Sequence, residues 1–99
     1  MDYSEESIID AAHPALPGHF PGQPIVPGVV LLEQVLRAAT RAGIDAMVNL
    51  LPQVKFSEPL LPAQPFTIRL RSDRPERWRF ECVREGRLIA SGLLQAEST

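Results

Sequence analysis

Gly28-Val29-Val30-Leu31-Leu32-Glu33-Gln34-Val35-Leu36-Arg37-Ala38-Ala39-Thr40-Arg41-Ala42, with Pro27 before it and Gly43 after it, is the stretch on which the fold turns. Pro27 suits a helix start and Gly43 a helix stop, and the residues between are good helix formers apart from Val29, Val30, Val35 and Thr40. On a helical wheel Val29, Leu31, Leu32, Val35, Leu36, Ala38, Ala39 and Ala42 occupy about half the circumference, while Glu33, Gln34, Arg37, Thr40 and Arg41 gather on an arc of about 120°. An apolar face this broad on one helix requires something to wrap round it.

The residues downstream supply the wrapping. Residues 52–58 show partial alternation and stop at Pro59. A proline-containing turn from Leu60 to Pro65 follows. Phe66, Ile68 and Leu70 then alternate with Thr67, Arg69 and Arg71, and Trp78, Phe80 and Cys82 alternate with Arg77, Arg79 and Glu81. Glu85-Gly86 is a hairpin turn into a last strand from Arg87 to Glu97. Residues 7–12 form a short first strand in this reading. Strand, loop, long helix and then antiparallel strands make an α+β chain with one helix against one sheet, and a sheet curled round that helix is the simplest way to bury its apolar arc.

Between the first strand and the helix, residues 13–27 hold five of the ten prolines and two of the six glycines. Prolines fix φ, remove donors and push the preceding residue out of the helical region, so this is a stiff loop. A chain of 99 residues spends so much irregular backbone on one loop only where the loop has work to do.

That length suits one domain, residues 1–99. An apolar fraction of 44% with 22% charged residues is ordinary for a globular protein, and a net charge of −2 argues against wholesale binding to nucleic acid or an anionic membrane. No apolar run approaches the length of a membrane span and the first residues are acidic, so neither a transmembrane helix nor a signal peptide is expected and the cytoplasm is the default location. The lone Cys82 precludes an internal disulfide and points inward from its strand. With only His13 and His19 available, no metal site is expected. His13 is read as structural or solvent-facing. Residues 69–87 carry seven arginines against four acids: solvated strand faces on the bland reading, a docking patch for an acidic partner on the functional one.

Residues 18–33, Gly-His-Phe-Pro-Gly-Gln-Pro-Ile-Val-Pro-Gly-Val-Val-Leu-Leu-Glu, closely resemble the signature of the bacterial β-hydroxyacyl-acyl carrier protein dehydratases of the FabZ and FabA type, GHFPG-x-P-x-x-PG-V-x-x-x-E. Every fixed position is present, and His19 and Glu33 stand the family's 14 residues apart. Lys55-Phe56-Ser57-Glu58-Pro59 is similar to the family's strand after the helix. His13-Pro14-Ala15-Leu16-Pro17 is more similar to the compact dehydratases of aryl polyene pathways. The resemblance implies a single hot-dog domain, an antiparallel sheet round one long central helix, that removes water from a (3R)-hydroxyacyl thioester to give a trans-2-enoyl thioester in fatty acid or polyene-type biosynthesis.

It also implies roles. His19 takes the C2 proton, as suits an imidazole titrating near neutrality. Glu33 donates to the leaving hydroxyl, directly or by orienting a water. The backbone N–H of Gly28, at a helix start with no Cβ in the way, meets the thioester carbonyl, and such a donor can be worth about 3 kcal/mol in the transition state. Phe20, Pro21, Gly22 and Pro27 shape the loop. Arg37 stands where the family commonly carries Gln. The i,i+4 orientation is favourable for a pair with Glu33 that would work against a proton donor, so the acid acts through water, or Arg37 binds a polar group of the substrate, or Arg37 points elsewhere. Leu31, Leu32, Val35 and Leu36 are core, and some of them with Phe56 and Leu60 are candidates for an acyl tunnel.

The resemblance further implies a homodimer whose sites are shared between subunits, substrate carried on the phosphopantetheine of an acyl carrier protein, and no other cofactor. A non-catalytic acyl-thioester-binding hot-dog subunit and a CoA-linked enoyl hydratase or thioesterase are the alternatives. Thioesterases of this fold generally lack the GHFPG loop, whereas loss of His19 or Glu33 would mark a non-catalytic subunit, and both are present.

Overall fold

A computed structural model describes residues 2–13, 25–44, 47–50, 53–74 and 76–97. In chain order the elements are β1 (Asp2–Ser7), α1 (Gly28–Arg41), β2 (Met47–Leu50), β3 (Lys55–Phe56), β4 (Phe66–Arg74), β5 (Arg77–Arg84) and β6 (Arg87–Glu97). Among the described residues the strands form one antiparallel sheet in the order β1-β4-β5-β6-β2, with β3 on the same edge of β6 as β2. One helix against one such sheet is the expected hot-dog arrangement. No helix of the described residues is long and apolar enough to cross a membrane.

The helix ends where its sequence says it should. Pro27 is extended at the N-cap, and its carbonyl accepts from Val30 N at 3.0 Å and Leu31 N at 3.2 Å. At the other end Gly43 takes φ +83, so its N–H reaches Thr40 O and the Ile44 N–H reaches Ala39 O, the paired closure that a left-handed glycine permits. The face turned to the sheet is Val30, Leu31, Val35, Ala38 and Ala39, all buried among Ile68, Leu70, Phe80, Cys82, Ala90 and Leu94. This corrects the expected apolar arc: Val30 is inside, and Val29 is 73% exposed. Ala38 follows Val29 by nine residues, half a revolution round the helix, so the two cannot both face the sheet.

Two strands also differ from expectation. The first lies at Asp2–Ser7 rather than at residues 7–12; there Asp10 O accepts from His13 N, and Ala12 N donates to the Asp10 carboxylate, which folds the segment into a turn. The strand expected over residues 52–58 is confined to Lys55–Phe56, and the pairing with β6 begins earlier, at Met47–Leu50. The two pieces pair with β6 in registers two residues out of step, and Pro52 lies outside the described residues. The β5–β6 hairpin is as expected. Glu85 (φ 50) and Gly86 (φ 75) are both left-handed between the partners Arg84 and Arg87, which fits the twist of a two-residue hairpin.

Cys82 faces the core, and burial pushes its thiol up to about 12. Glu5 also faces inward, from the edge strand β1. Arg41 holds it through Nε (3.0 and 3.1 Å) and Nη2 (2.8 Å), and the Tyr3 hydroxyl donates to it at 3.0 Å. The guanidinium keeps this carboxyl below its usual range, outweighing the opposing effect of burial. A carboxyl whose pKa is lowered in the folded state stabilises the fold above the unfolded value and ceases to do so as pH falls through the folded one. The stability gap between wild type and Glu5→Gln should therefore be full near neutrality and close as pH drops below about 4. A gap independent of pH in denaturant titrations would refute the tie.

Gly92 lies opposite Phe80 across β5 and β6. A Cβ there would sit 2.6 and 2.8 Å from Cε1 and Cζ of that fully buried ring. Gly92→Ala should cost about 1–3 kcal/mol, seen as a lower denaturant midpoint at unchanged slope; an unchanged midpoint would show that the ring can yield.

Candidate active site

An apolar cavity of about 500 Å³ opens at the amino end of α1, lined by Ile25, Val26, Pro27, Gly28, Leu31, Phe56, Ser57, Glu58, Pro59, Leu60 and Ile89. Three backbone contacts build its walls. Val26 N donates to Leu60 O at 2.8 Å, which fixes the approach to the helix against the turn after β3. Ser57 N and Glu58 N both donate to Ile89 O, at 2.8 and 3.3 Å, which hangs the same turn from β6. Gly28 is thus held at the meeting point of helix, turn and sheet.

The first N–H groups of any α-helix lack intrahelical acceptors. Here Pro27 O takes Val30 and Leu31, and among the described residues no acceptor meets Gly28 N–H or Val29 N–H. With the partial positive charge of a helix start, this end of the cavity suits an oxygen that gains negative charge. The glycine has a packing reason too. A Cβ on Gly28 would come within 2.7 Å of Cζ of Phe56, whose ring lies over the helix start and is itself 54% exposed.

Pro27 and Gly28 therefore stand where the sequence reading put them, at the helix start. Of the candidate tunnel residues, Leu31, Phe56 and Leu60 line the cavity, whereas Leu32, Val35 and Leu36 do not. Glu33 and Arg37 lie on the outer face of α1, outside the cavity lining, and form the expected pair: Arg37 Nη2 donates to Glu33 Oε1 at 2.6 Å, with the side chains 60% and 50% exposed. His19, Phe20, Pro21 and Gly22 lie outside the described residues.

Sequence reasoning missed Glu58, a carboxylate in the cavity wall that Arg87 approaches at 3.5 Å, and Ile89, contributed from β6. The Phe56-Ser57-Glu58-Pro59 segment pointed to the first; nothing local pointed to the second. The arginine-rich stretch divides in two. Arg69, Arg71, Arg77 and Arg79 lie on the exposed face of β4 and β5, while Arg84 and Arg87 line a second depression of about 370 Å³ that shares Glu58, Pro59 and Ile89 with the first.

Comparison with known proteins gives consistent relatives. The chain is 32% identical over 89 residues to a 3-hydroxyacyl-[acyl-carrier-protein] dehydratase FabZ from Ehrlichia chaffeensis, covering 80% of this chain and 62% of that protein. A second FabZ, from Pseudoalteromonas translucida, is 29% identical over 92 residues, covering 79% of this chain and 61% of the relative. The chain thus spans about three fifths of the length of these relatives. Among solved structures, the dehydratase heterocomplex ApeI:P from Xenorhabdus doucetiae superposes with a TM-score of 0.79 at 21% identity, covering 95% of this chain and 85% of that one. A fluoroacetyl-CoA-specific thioesterase superposes at 0.70 with 16% identity, covering 97% and 90%, a likeness of fold alone. The family model described as ApeI dehydratase matches residues 3–93, nearly the whole sequence, and the chain belongs to this ApeI-like, FabZ-related family of hot-dog dehydratases.

Proposed function

We propose that this chain is a subunit of a hydro-lyase that removes water from a 3-hydroxyacyl thioester carried on an acyl carrier protein. The observation that carries the reading is the apolar cavity opening at the amino end of α1, where Gly28 N–H meets no acceptor among the described residues. A cavity of this kind accepts an acyl thioester and offers its carbonyl oxygen a donor. Polarising that carbonyl acidifies C2, which is what elimination needs first.

His19 then takes the C2 proton, the C2–H electron pair becomes the C2=C3 bond, and the C3–O bond breaks with its electrons on oxygen. The departing oxygen takes up the proton that His19 removed, directly or through a water beside it, and leaves as water. Arg37 takes one oxygen of Glu33, and the part of this carboxyl is to orient the leaving hydroxyl or a water beside it. Glu33 stands outside the cavity of its own chain, and at the helix start the large apolar side chains of Val29 and Phe56 are exposed. Both features favour a homodimer in which the site of one subunit is completed by the other. Of the two arginines beside the cavity, Arg84 is taken up by Pro65 O and Glu85, while the exposed Arg87 supports a dock for an acidic carrier. The resemblance of His13-Pro14-Ala15-Leu16-Pro17 to the compact dehydratases supports a polyene-type pathway.

The test is to follow water loss by mass from 3-hydroxyacyl groups on carrier protein and on CoA, with wild type, His19→Ala, Glu33→Ala and the two variants refolded together. Loss of activity in each variant and partial recovery in the mixture are expected, since a mixed dimer regains one intact pair. Wild-type rates in both variants would end the proposal, and hydrolysis without dehydration would indicate a thioesterase instead. Gly28→Ala should fold, because the half-exposed Phe56 ring can swing aside. It should lower kcat/KM by about tenfold or more, as the added methyl crowds the carbonyl's donor; an unchanged kcat/KM would remove Gly28 from the site.

A further inference from the structure

Two arginines on α1 bind carboxylates, and they do so differently. Arg41 grips Glu5 with two nitrogens and three contacts of 2.8–3.1 Å, and the Glu5 side chain is only 18% exposed. This is a cross-link between helix and sheet. Arg37 meets Glu33 through one contact, Nη2 to Oε1 at 2.6 Å, on the open face of the same helix. Among the described residues neither partner makes another polar contact, so Oε2 of Glu33 and the remaining guanidinium N–H groups are uncommitted.

An exposed pair one turn apart on a helix contributes little to folding. What it does contribute is order. A free glutamate has three side-chain torsions to fix before its carboxylate can meet a reacting atom, and that cost falls on the reaction unless a neighbour bears it beforehand. The guanidinium is planar and directional, so binding one carboxylate oxygen sets where the other points. Arg37 stands on the C-terminal side of Glu33, away from the cavity end of α1, and pulls Oε1 that way.

We propose that Arg37 is a positioning residue for the reaction: it holds Glu33 by Oε1 and so presents Oε2, as a carboxylate oxygen in a fixed direction, to the 3-hydroxyl of the substrate or its bound water. The proposal rests on the reading in which Glu33 meets that hydroxyl. Arg37 touches no reacting atom itself, and its whole effect passes through Glu33.

The experiment measures kcat, KM and melting temperature for the full chain as wild type, Arg37→Met, Arg37→Lys, Glu33→Ala and the double variant Glu33→Ala/Arg37→Met, with a 3-hydroxyacyl carrier-protein thioester as substrate. Arg37→Met should lower kcat by about tenfold or more with KM within about twofold. Its melting temperature should stay within about 3 °C of wild type, as befits an exposed pair. Arg37→Lys, which keeps the charge but not the planar fork, should fall between. In the Glu33→Ala background, Arg37→Met should cause no further loss, since there is nothing left to position. If Glu33→Ala is inactive while Arg37→Met keeps kcat within about twofold of wild type, Arg37 is a surface partner only and the proposal fails while the reading of the site stands. A rise in KM alone would overturn it in favour of direct substrate contact. If Glu33→Ala keeps the wild-type kcat, the reading of the site fails and the proposal with it.

Discussion

The seating of α1 on the sheet is the constraint from which the rest follows. Its contact face includes two alanines, Ala38 and Ala39, both fully buried. Small side chains let the helix lie close to β4, and close packing leaves little freedom to slide or roll. A helix fixed this way has both ends fixed too. One end is tied by Arg41 to Glu5 on the edge strand β1. The other delivers Gly28 to the cavity, with Pro27 setting the angle of entry and the Val26–Leu60 bond holding the approach. The chemistry proposed at Gly28 therefore depends on packing several turns away.

How legible this was in the sequence depended on how local each signal is. The helix was bounded correctly because its signals are adjacent residues: an extended proline at one end and a left-handed glycine at the other. Glu85-Gly86 gave its hairpin for the same reason, and the alternation through Trp78, Phe80 and Cys82 gave the inner face of β5 directly. The first strand was misplaced because Asp2–Ser7 looks like a polar tail. Its inward positions are Tyr3, Glu5 and Ser7, and Glu5 is tolerable there only because Arg41, 36 residues on, meets it. No window over the first ten residues contains that partner. The failure at Val29 was of another kind: residue type placed it with the apolar set, but only the direction of the sheet decides which half of a broad apolar surface is inside.

The site divides along the same line. Gly28 at the helix start and the Glu33–Arg37 pair were readable from position and i,i+4 spacing. The cavity wall was not, because Ile89 arrives from β6 and Glu58 from a turn whose place is set by two bonds to the Ile89 carbonyl. A cavity is a property of elements brought together, so its full lining is absent from any single segment.

Edges and faces of the sheet explain where the chain is open to a partner. β1, at one edge, carries Asp2, Glu5 and Glu6, charges that discourage strand addition. At the other edge β2 and β3 share β6 as two short pieces rather than one long strand, and short edges template poorly. Among the described residues the exposed large apolar side chains are Ile8, Val29, Phe56 and Leu61, and two of them, Val29 on α1 and Phe56 on β3, sit at the helix start beside the cavity. Leaving both in water is unfavourable for a single chain, and burying them against a partner recovers that free energy. The same contact would enclose the mouth of the cavity and strip water from Glu33, where a carboxylate held by a single guanidinium bond acts far more strongly than it can in solvent. In the proposed dimer, association and catalysis would be one physical event, since the surface whose burial drives the first is the surface whose desolvation strengthens the second.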